Sequence, residues 1–498
     1  MKGRSTVQTE RNFWDCPDKV PLEERPSLFH HRLFNRFKSQ GANTSNASAG
    51  DPAFNAYEPV TEAATRVLHN TEALRRYHNS VPSSALTRKI VPFFEDLKID
   101  APNGLKPSNI AIGFGVTNLY AVMIKKLKED YAEKYPKKKP VILIPTPTYG
   151  IYTTQPLANE VEIKTIPLSS DNGWSITPAA VRHAIDDVER KGDKKVIAYY
   201  NANPHNPTGR IYTRAELEPI CEVLKKKDIF VIDDLIYHGT ELTNKKKICP
   251  VASLPGMFDH SITLYGLGKA FGAADLRAGV ACGRKEDVSY IHDFNFKHFI
   301  SVPVLIQEAV AAALASDHYH KRAREDYWAR NAEEYHLRYN LMKSMIEGVG
   351  KVSFVGNEKE IITELVRKSS NLKGREADDL LKQGIPGLSI KRDPEAGYFA
   401  LVDFSEAKGK FHGPTRIDTM TKLAAHLVDS AKLLVLPAPM MLCGPDDEMS
   451  ARCSFGMGRA QVVKSVMRMK KALEELTEKP TPGPPLEMQI GPRKRDMD

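Results

Sequence analysis

The strongest constraint on the fold is an alternation of short apolar runs with amphipathic stretches, which begins near residue 108. The apolar runs are NIAIGFG, KPVILIPT, VEIKTIPL, KKVIAYYNANP, DIFVIDDLI, HSITLYGLG and AGVACG. Several are separated by helical patterns such as TNLYAVMIKKLKEDYAEKY and TRAELEPICEVLKKK. Short continuous apolar runs are typical of strands buried on both faces, with helices as the crossovers between them. The sequence therefore predicts an α/β domain with a mostly parallel sheet.

Changes in pattern divide the chain further. Residues 1–50 are polar with little periodicity and are interpreted as an N-terminal arm. Residues 91–340 form the predicted large α/β domain. Isolated strands (KVSFV, GYFALVDF, KLLVLPAP, EMSARCSFGM) alternate with helices in 341–478, which together with 51–90 are assigned to a smaller α+β domain. The Pro-rich, charged segment 479–498 predicts a disordered tail.

Composition restricts the partners. The 498-residue chain is 41% hydrophobic and 27% charged, which is ordinary for a soluble globular protein. The formal charge is +9 and the pI about 9.0. The lysines come in short groups such as Lys137-Lys138-Lys139, without interleaved aromatic residues, so a solvated surface is favoured over nucleic-acid binding.

The cysteines and the N-terminus concern location. Six cysteines are scattered without CxxC spacing, which favours a reducing compartment and gives neither a zinc site nor a disulfide framework. The N-terminus lacks the apolar segment of a secretory signal, and no run of ~18 apolar residues indicates a membrane span. We therefore expect a cytoplasmic protein with no membrane partner and no metal.

Candidate binding residues follow the predicted strands, because ligands of open α/β sheets bind at the carboxyl ends of strands. Gly115, Val116 and Thr117 open a helix whose free N–H groups suit a phosphate, although a plain strand-to-helix turn has the same pattern. Tyr149 can stack on a planar ring or simply pack in the core. The loop NANPHNPTG is constrained by its prolines and can hold the amide of Asn206 toward a ligand oxygen.

Three charged residues complete this set. Asp234 ends an apolar run, where it can pair with a protonated heterocyclic nitrogen, cap a helix or join a loop ion pair. Lys269, in TLYGLGKAFGAADLRAG, has apolar surroundings that lower an amine's pKa, and a neutral amine can form a Schiff base with an aldehyde. Arg277 can clamp a phosphate bidentately. The cofactor that needs all of these groups is pyridoxal 5′-phosphate (PLP).

The chain resembles the fold-type I, PLP-dependent enzymes of the class I/II aminotransferase family, in the aspartate aminotransferase-like superfamily. NPHNPTG and GKAFGAADLRAG are the most specific matching motifs, and the match runs from about residue 45 to 478. The resemblance implies a large domain with a mostly parallel seven-stranded sheet flanked by helices, and a smaller α+β domain. It also implies that Lys269 is the Schiff-base lysine and that Asp234 pairs with the pyridine nitrogen.

The same resemblance gives roles to further cofactor-binding positions. Asn206 and Tyr237 match the groups that bind the phenolic oxygen of the ring, and Tyr149 stands where the ring-stacking aromatic stands. The phosphate-binding positions are Gly115, Val116, Thr117 and Arg277.

Substrate and subunit contacts are implied in the same way. Arg452, in SARCSFGMG, matches the arginine that binds the α-carboxylate of the substrate, and Gly50 matches a glycine near the substrate. Tyr77 aligns with a tyrosine that reaches the cofactor phosphate of the neighbouring subunit, which implies a homodimer with shared active sites. Without the resemblance, Tyr77 would be read as a core residue.

Departures from the family pattern concern the phosphate and the reaction. The family usually has a hydroxyl three residues before the lysine and often another just before it, whereas this chain has Gly266 and Gly268. Ala438 replaces a common glycine, and Asp275 a commonly small residue.

Two enzymatic functions fit these residues. The first is transamination between an amino acid and a 2-oxo acid through the Lys269 Schiff base. The alternative keeps PLP but performs elimination, replacement, cyclisation or oxidation in specialised biosynthesis. A PLP-fold regulator that binds DNA is disfavoured, because residues 1–50 show no helix-turn-helix pattern. The residues do not identify the amino-acid substrate.

Overall fold

The central element is a seven-stranded sheet, seen in a computed structural model that describes residues 11–243, 246–483 and 485–486. Six of its strands run in one direction, and only Gly279–Cys282 runs antiparallel to its two neighbours. In sheet order the strands are Ile110–Gly113, Gly279–Cys282, Ser261–Gly266, Phe230–Asp234, Lys194–Ala202, Lys139–Thr146 and Glu162–Pro167. The predicted fold class is confirmed.

Helices cover this sheet and explain its apolar strands. Strands such as Ile110–Gly113 and Phe230–Asp234 are buried throughout, as expected where helices shield both faces. The helices of this part are Val116–Lys134, Ile151–Ala158, Pro178–Glu189, Arg214–Lys226, Lys285–Phe299 and Val304–Leu314. The 30-residue helix His318–Glu347 then leads into the C-terminal part.

The C-terminal part contains a four-stranded antiparallel sheet and helices. Its strands, in sheet order, are Leu436–Pro437, Ser450–Ser454, Phe399–Asp403 and Ser389–Ile390. Its helices are Glu358–Ser369, Gly374–Gln383, Met420–Ala431 and Arg459–Glu474. The prediction of a strand in KVSFV is wrong, because residues 352–355 pair with no strand and Val355 is 67% exposed.

Residues 11–50 belong with the C-terminal part, which corrects the interpretation of this stretch as an arm, whereas residues 1–10 lie outside the described residues. Helical turns Arg25–Leu28, Phe29–Phe34 and Asn35–Lys38 follow one another and bury apolar side chains against the same core as helix Met420–Ala431. Strand Ser45–Asn46 pairs with Leu433–Leu434. The Phe29, Leu33 and Phe37 spacing is the helical periodicity that the sequence reading missed.

Residues 51–90 pack differently from the prediction as well. Helix Glu58–His69 lies against Val304–Leu314, and helix Ser84–Asp96 buries Ile90 and Phe94 in the core around Tyr265. Assigning this segment to the smaller domain is therefore wrong, because its apolar faces are covered by helices of the large domain. The two halves of the N-terminal region thus serve different domains.

Residues 479–483 and 485–486 of the C-terminal segment are ordered. Leu486 is buried, and its N–H donates to the Thr415 hydroxyl at 3.0 Å. The predicted disorder is therefore wrong for residues 479–483 and 485–486, whereas 484 and 487–498 lie outside the described residues.

Within the described part of the chain, no helix is long and apolar enough to cross a membrane. All six cysteines are described, and each is a free thiol.

Candidate active site

A cavity of about 480 Å³ opens where the predicted site residues converge, at the carboxyl ends of the parallel strands. Its lining includes most of the predicted residues: Gly50, Gly115, Val116, Thr117, Tyr149, Asn206, Tyr237, Lys269, Arg277 and Arg452. Asp234 is buried next to lining residues, and Tyr77 lies elsewhere. Residues far apart in sequence are brought together because each follows a strand of one sheet, or joins that edge from the C-terminal part.

Lys269 lies in the loop after strand Ser261–Gly266, with its amine in the cavity. The amine donates to the Gly50 carbonyl at 2.7 Å. Burial, reinforced by the positive charges of Arg452 and Arg277, lowers the pKa of Lys269 to about 8. About a tenth of this amine is therefore uncharged at pH 7, far more than for an ordinary lysine, and this fraction can act as a nucleophile or base.

Asp234 ends strand Phe230–Asp234 and is 1% exposed. Its Oδ1 accepts the Ile236 N–H at 2.9 Å, and its Oδ2 accepts the Tyr200 hydroxyl at 3.0 Å. Burial raises the pKa of Asp234, while these hydrogen bonds and Lys269 oppose the rise. Such a carboxylate gains most from a cationic partner, as a protonated ring nitrogen would be.

A cradle for an anion lies between Gly115 and Arg277. Gly115 has φ +85°, which favours glycine, and precedes helix Val116–Lys134, whose first turn has no side-chain cap. A Cβ on Gly115 would stand 3.1 Å from Nη2 of Arg277, so a side chain there would fill the cradle. Uncapped N–H groups, a helix N-terminus and a guanidinium together suit a phosphate.

The missing hydroxyl at Gly266 has a steric explanation. A Cβ at this position would lie 2.8 Å from Ile236 Cδ1 and 3.0 Å from Val116 Cγ2. The space that a serine or threonine would need is therefore occupied by apolar groups. Thr117, which follows Gly115 and Val116 and lines the cavity, is a hydroxyl-bearing residue in this stretch.

Asn206 and Arg452 lie together in the cavity wall, and both are buried. The Asn206 loop is braced by paired hydrogen bonds of 2.9 and 3.0 Å between the Asn203 side chain and the Tyr212 backbone. Arg452, in strand Ser450–Ser454, donates to Asn206 Oδ1 at 3.1 Å and to the Ser48 carbonyl at 2.7 Å. Its Nε is buried and has no partner among the described residues.

Gly50 lies between the Lys269 amine and the Arg452 guanidinium. A Cβ at Gly50 would lie 3.6 Å from the Lys269 amine and 3.8 Å from Nη2 of Arg452. The open space beside Gly50 therefore lies next to both the amine and the guanidinium. An amino acid bound there could present its α-carboxylate to Arg452 and its α-carbon to the Lys269 amine.

Three aromatic residues occupy different places. Tyr237 is buried, and the centroid of its ring is 6.0 Å from the Lys269 amine. Tyr149 lines the cavity and is 43% exposed, so one part of it is open to a ligand. Tyr77 is 89% exposed and does not line this cavity.

Sequence reasoning missed the outer wall of the cavity. Pro26, Phe29 and His30 line it from the N-terminal helical turns, and Met440 lines it from the loop after Leu436–Pro437. Arg25 is buried and donates to the Pro439 carbonyl at 2.7 Å, which fixes the first turn to this loop. We call the lining residues Pro26, Phe29, His30 and Met440 the mouth of the cavity. We call Lys269, Asp234, Asn206 and Tyr237 its floor.

The residues present fit PLP. The cradle at Gly115 matches its phosphate, the Lys269 amine its aldehyde and buried Asp234 its ring nitrogen. The unpartnered Nε of Arg452 leaves bonding capacity for a substrate carboxylate.

Comparisons with known proteins identify the family and the fold. The family model described as "Aminotransferase class I and II" matches residues 44–363. An aspartate aminotransferase of Bacillus sp. (strain YM-2) is 23% identical over 406 residues, covering 80% of this chain and 85% of the relative. An aspartate/prephenate aminotransferase of Cereibacter sphaeroides (strain ATCC 17029 / ATH 2.4.9) is 24% identical over 310 residues, 61% of this chain and 70% of the relative. The solved aspartate aminotransferase from Rhizobium meliloti has a similar fold, with a TM-score of 0.70 at 20% identity, covering 90% of this chain and 96% of the other.

Proposed function

Because the chain belongs to the class I and II aminotransferase family, we propose that it works through Lys269 at the floor of the cavity. The family is one of PLP-dependent enzymes that move an amino group between an amino acid and a 2-oxo acid. The observation that carries the assignment is the Lys269 amine, which opens on the cavity with a pKa lowered to about 8. Among the described residues, no other lysine lines this cavity.

Bound PLP supplies an aldehyde that accepts the amino group and a protonated ring that takes up the electrons released at the substrate Cα. Lys269 would hold the aldehyde carbon. As a general base, its amine would take the proton from Cα and return it during transfer. The neighbouring Arg452 and Arg277 favour the uncharged amine that this role needs.

The remaining floor and cradle residues bind and orient. Asp234 would pair with the ring nitrogen, Asn206 and Tyr237 would bind the phenolic oxygen, and Tyr149 would stack on the ring. Phosphate binding falls to Gly115, Val116, Thr117 and Arg277. Arg452 would bind the substrate α-carboxylate beside Gly50, because a planar guanidinium matches a carboxylate.

The assembly would be a homodimer in which Tyr77 reaches the phosphate of the second subunit. Its 89% exposure leaves the phenol available for such a contact. A cytoplasmic location and a biosynthetic role remain predictions from the sequence. Sedimentation of the purified protein would test the dimer, and Tyr77→Phe would weaken PLP binding in it.

The test of function is the visible absorption spectrum of the purified protein with PLP. One amino acid should convert the spectrum to that of the pyridoxamine form, and a 2-oxo acid should restore it. The lysine-bound spectrum should be lost in Lys269→Ala. The family and the named relatives do not favour the alternative chemistries, which would leave no pyridoxamine form. A spectrum that never shows lysine-bound cofactor would overturn the proposal.

A further inference from the structure

Three buried tyrosines, Tyr120, Tyr152 and Tyr200, pack beside Asp234 and have no role in the function proposed above. The rings of Tyr152 and Tyr200 are stacked, with centroids 4.4 Å apart and planes at 26°. Tyr120 meets both rings edge-on, at 5.2 and 5.4 Å. Its hydroxyl also donates to the Tyr152 carbonyl at 3.0 Å. Packing therefore fixes the orientation of these rings.

The sheet register brings Tyr200 to Asp234. Strands Lys194–Ala202 and Phe230–Asp234 are parallel neighbours, with Tyr200 opposite Ile232 and Ala202 opposite Asp234. Side chains alternate along a strand, so Tyr200 and Asp234 project from the same face. The Tyr200 hydroxyl donates to Oδ2 at 3.0 Å, and interaction with the Tyr152 hydroxyl also lowers the pKa of this carboxylate.

These phenols are permanent donors. Burial raises the pKa of both Tyr152 and Tyr200 well above the ordinary value, so they stay protonated. Among the described residues, no salt bridge includes Asp234, although the positive charge of Lys269 acts on it. The two hydroxyls, one backbone N–H and the positive charge of Lys269 together stabilise the ionised carboxylate against burial.

We propose that Tyr200 and Tyr152 are positioning residues, which keep Asp234 ionised and fixed in orientation for the ring nitrogen of PLP. The inference rests on the role proposed for Asp234 above. Loss of a donor makes the carboxylate more basic and frees its rotation. The proton shared with the ring nitrogen then moves toward Asp234, and the protein binds PLP less tightly.

The test uses Tyr200→Phe, which removes only the hydroxyl. Cofactor-free protein is reconstituted with PLP labelled with ¹⁵N in its ring, and the nitrogen shift is recorded by NMR. The resonance should move toward that of unprotonated pyridine, and the dissociation constant for PLP should rise about tenfold, as for one hydrogen bond to a charged group. Tyr199→Phe is the matched control, because Tyr199 is equally buried and its hydroxyl has no partner among the described residues.

Tyr152→Phe should shift the resonance in the same direction, and it replaces Tyr200→Phe if that variant does not fold. A shift and an affinity identical to those of Tyr199→Phe in both variants would overturn the inference alone. Wild-type protein that binds no PLP would instead overturn the proposed function, and the inference with it.

Discussion

The floor of the cavity and its mouth are built in different ways. The floor residues, such as Lys269 and Asp234, come from strand ends of one sheet and the loops that directly follow. The mouth combines Phe29 and His30 from the N-terminal turns with Met440 from the far end of the chain. The difference teaches that the reactive groups depend on the sheet, whereas access to them depends on contacts between distant segments.

The two regions also differ in burial. Asp234, Asn206 and Tyr237 are buried, whereas Met440 is the one buried residue among the four of the mouth. Removing a floor group should therefore affect the chemistry itself, and removing a mouth group should affect the choice among substrates.

The largest effect is expected from Lys269→Ala, which removes the amine from the floor. Activity should fall by at least about 10⁴-fold, because both the nucleophile and the base are lost. A coupled transamination assay measures this, with the exposed Lys351→Ala as a control of equal charge change. If Lys269→Ala kept even a tenth of the activity, Lys269 would not be the residue that carries the chemistry.

The next effect is that of pH on PLP uptake by the cofactor-free protein. Because the pKa of Lys269 is lowered to about 8, the uptake rate should fall about tenfold per pH unit below this value and level off above it. Stopped-flow absorbance between pH 6 and 10 measures the profile.

Lys269 should also affect stability. The free energy of unfolding should increase as the pH rises from 8 to 10.5, because in this range the unfolded chain binds more protons than the folded one. A midpoint near 10.5 would contradict both expectations.

Arg452→Lys tests the residue of the cavity wall that we propose binds the substrate α-carboxylate. The KM for amino acids should rise about 10- to 100-fold, because an ammonium cannot reproduce the planar, bidentate contact with a carboxylate. PLP affinity should change far less. Steady-state kinetics and PLP titration give the two numbers, with exposed Arg416→Lys as the control. An equal loss of PLP affinity would move Arg452 into the cofactor site.

The smallest effect belongs to the mouth. Phe29→Ala should change kcat/KM by up to about tenfold for amino acids with large side chains, through lost apolar contact, and leave PLP affinity as it was. Leu28→Ala is the control for a general loosening of these turns, because Leu28 packs against the same hydrophobic core as Phe29. A uniform change for small and large substrates would show that the mouth does not select among them.

The N-terminal turns show why the mouth escaped prediction. The spacing of Phe29, Leu33 and Phe37 was sufficient to predict a helix, but not the surface on which it would lie. Arg25 contacts Pro439, which is 414 positions away, and such a pair has no local signature. Gly266 is similar, because the apolar side chains that exclude a hydroxyl there come from Val116 and Ile236.

By itself, the sequence determined the mostly parallel sheet and the residues that follow its strands, including Lys269, Asp234 and Asn206. Strand periodicity and constrained loops are local, and parallel strands bring their carboxyl ends to one edge wherever they pair. Only the tertiary structure decided which domain residues 13–47 and 57–96 join, which side chains form the mouth, and which phenols surround Asp234. These depend on packing between faces distant in the chain, where many apolar surfaces of similar pattern could have met.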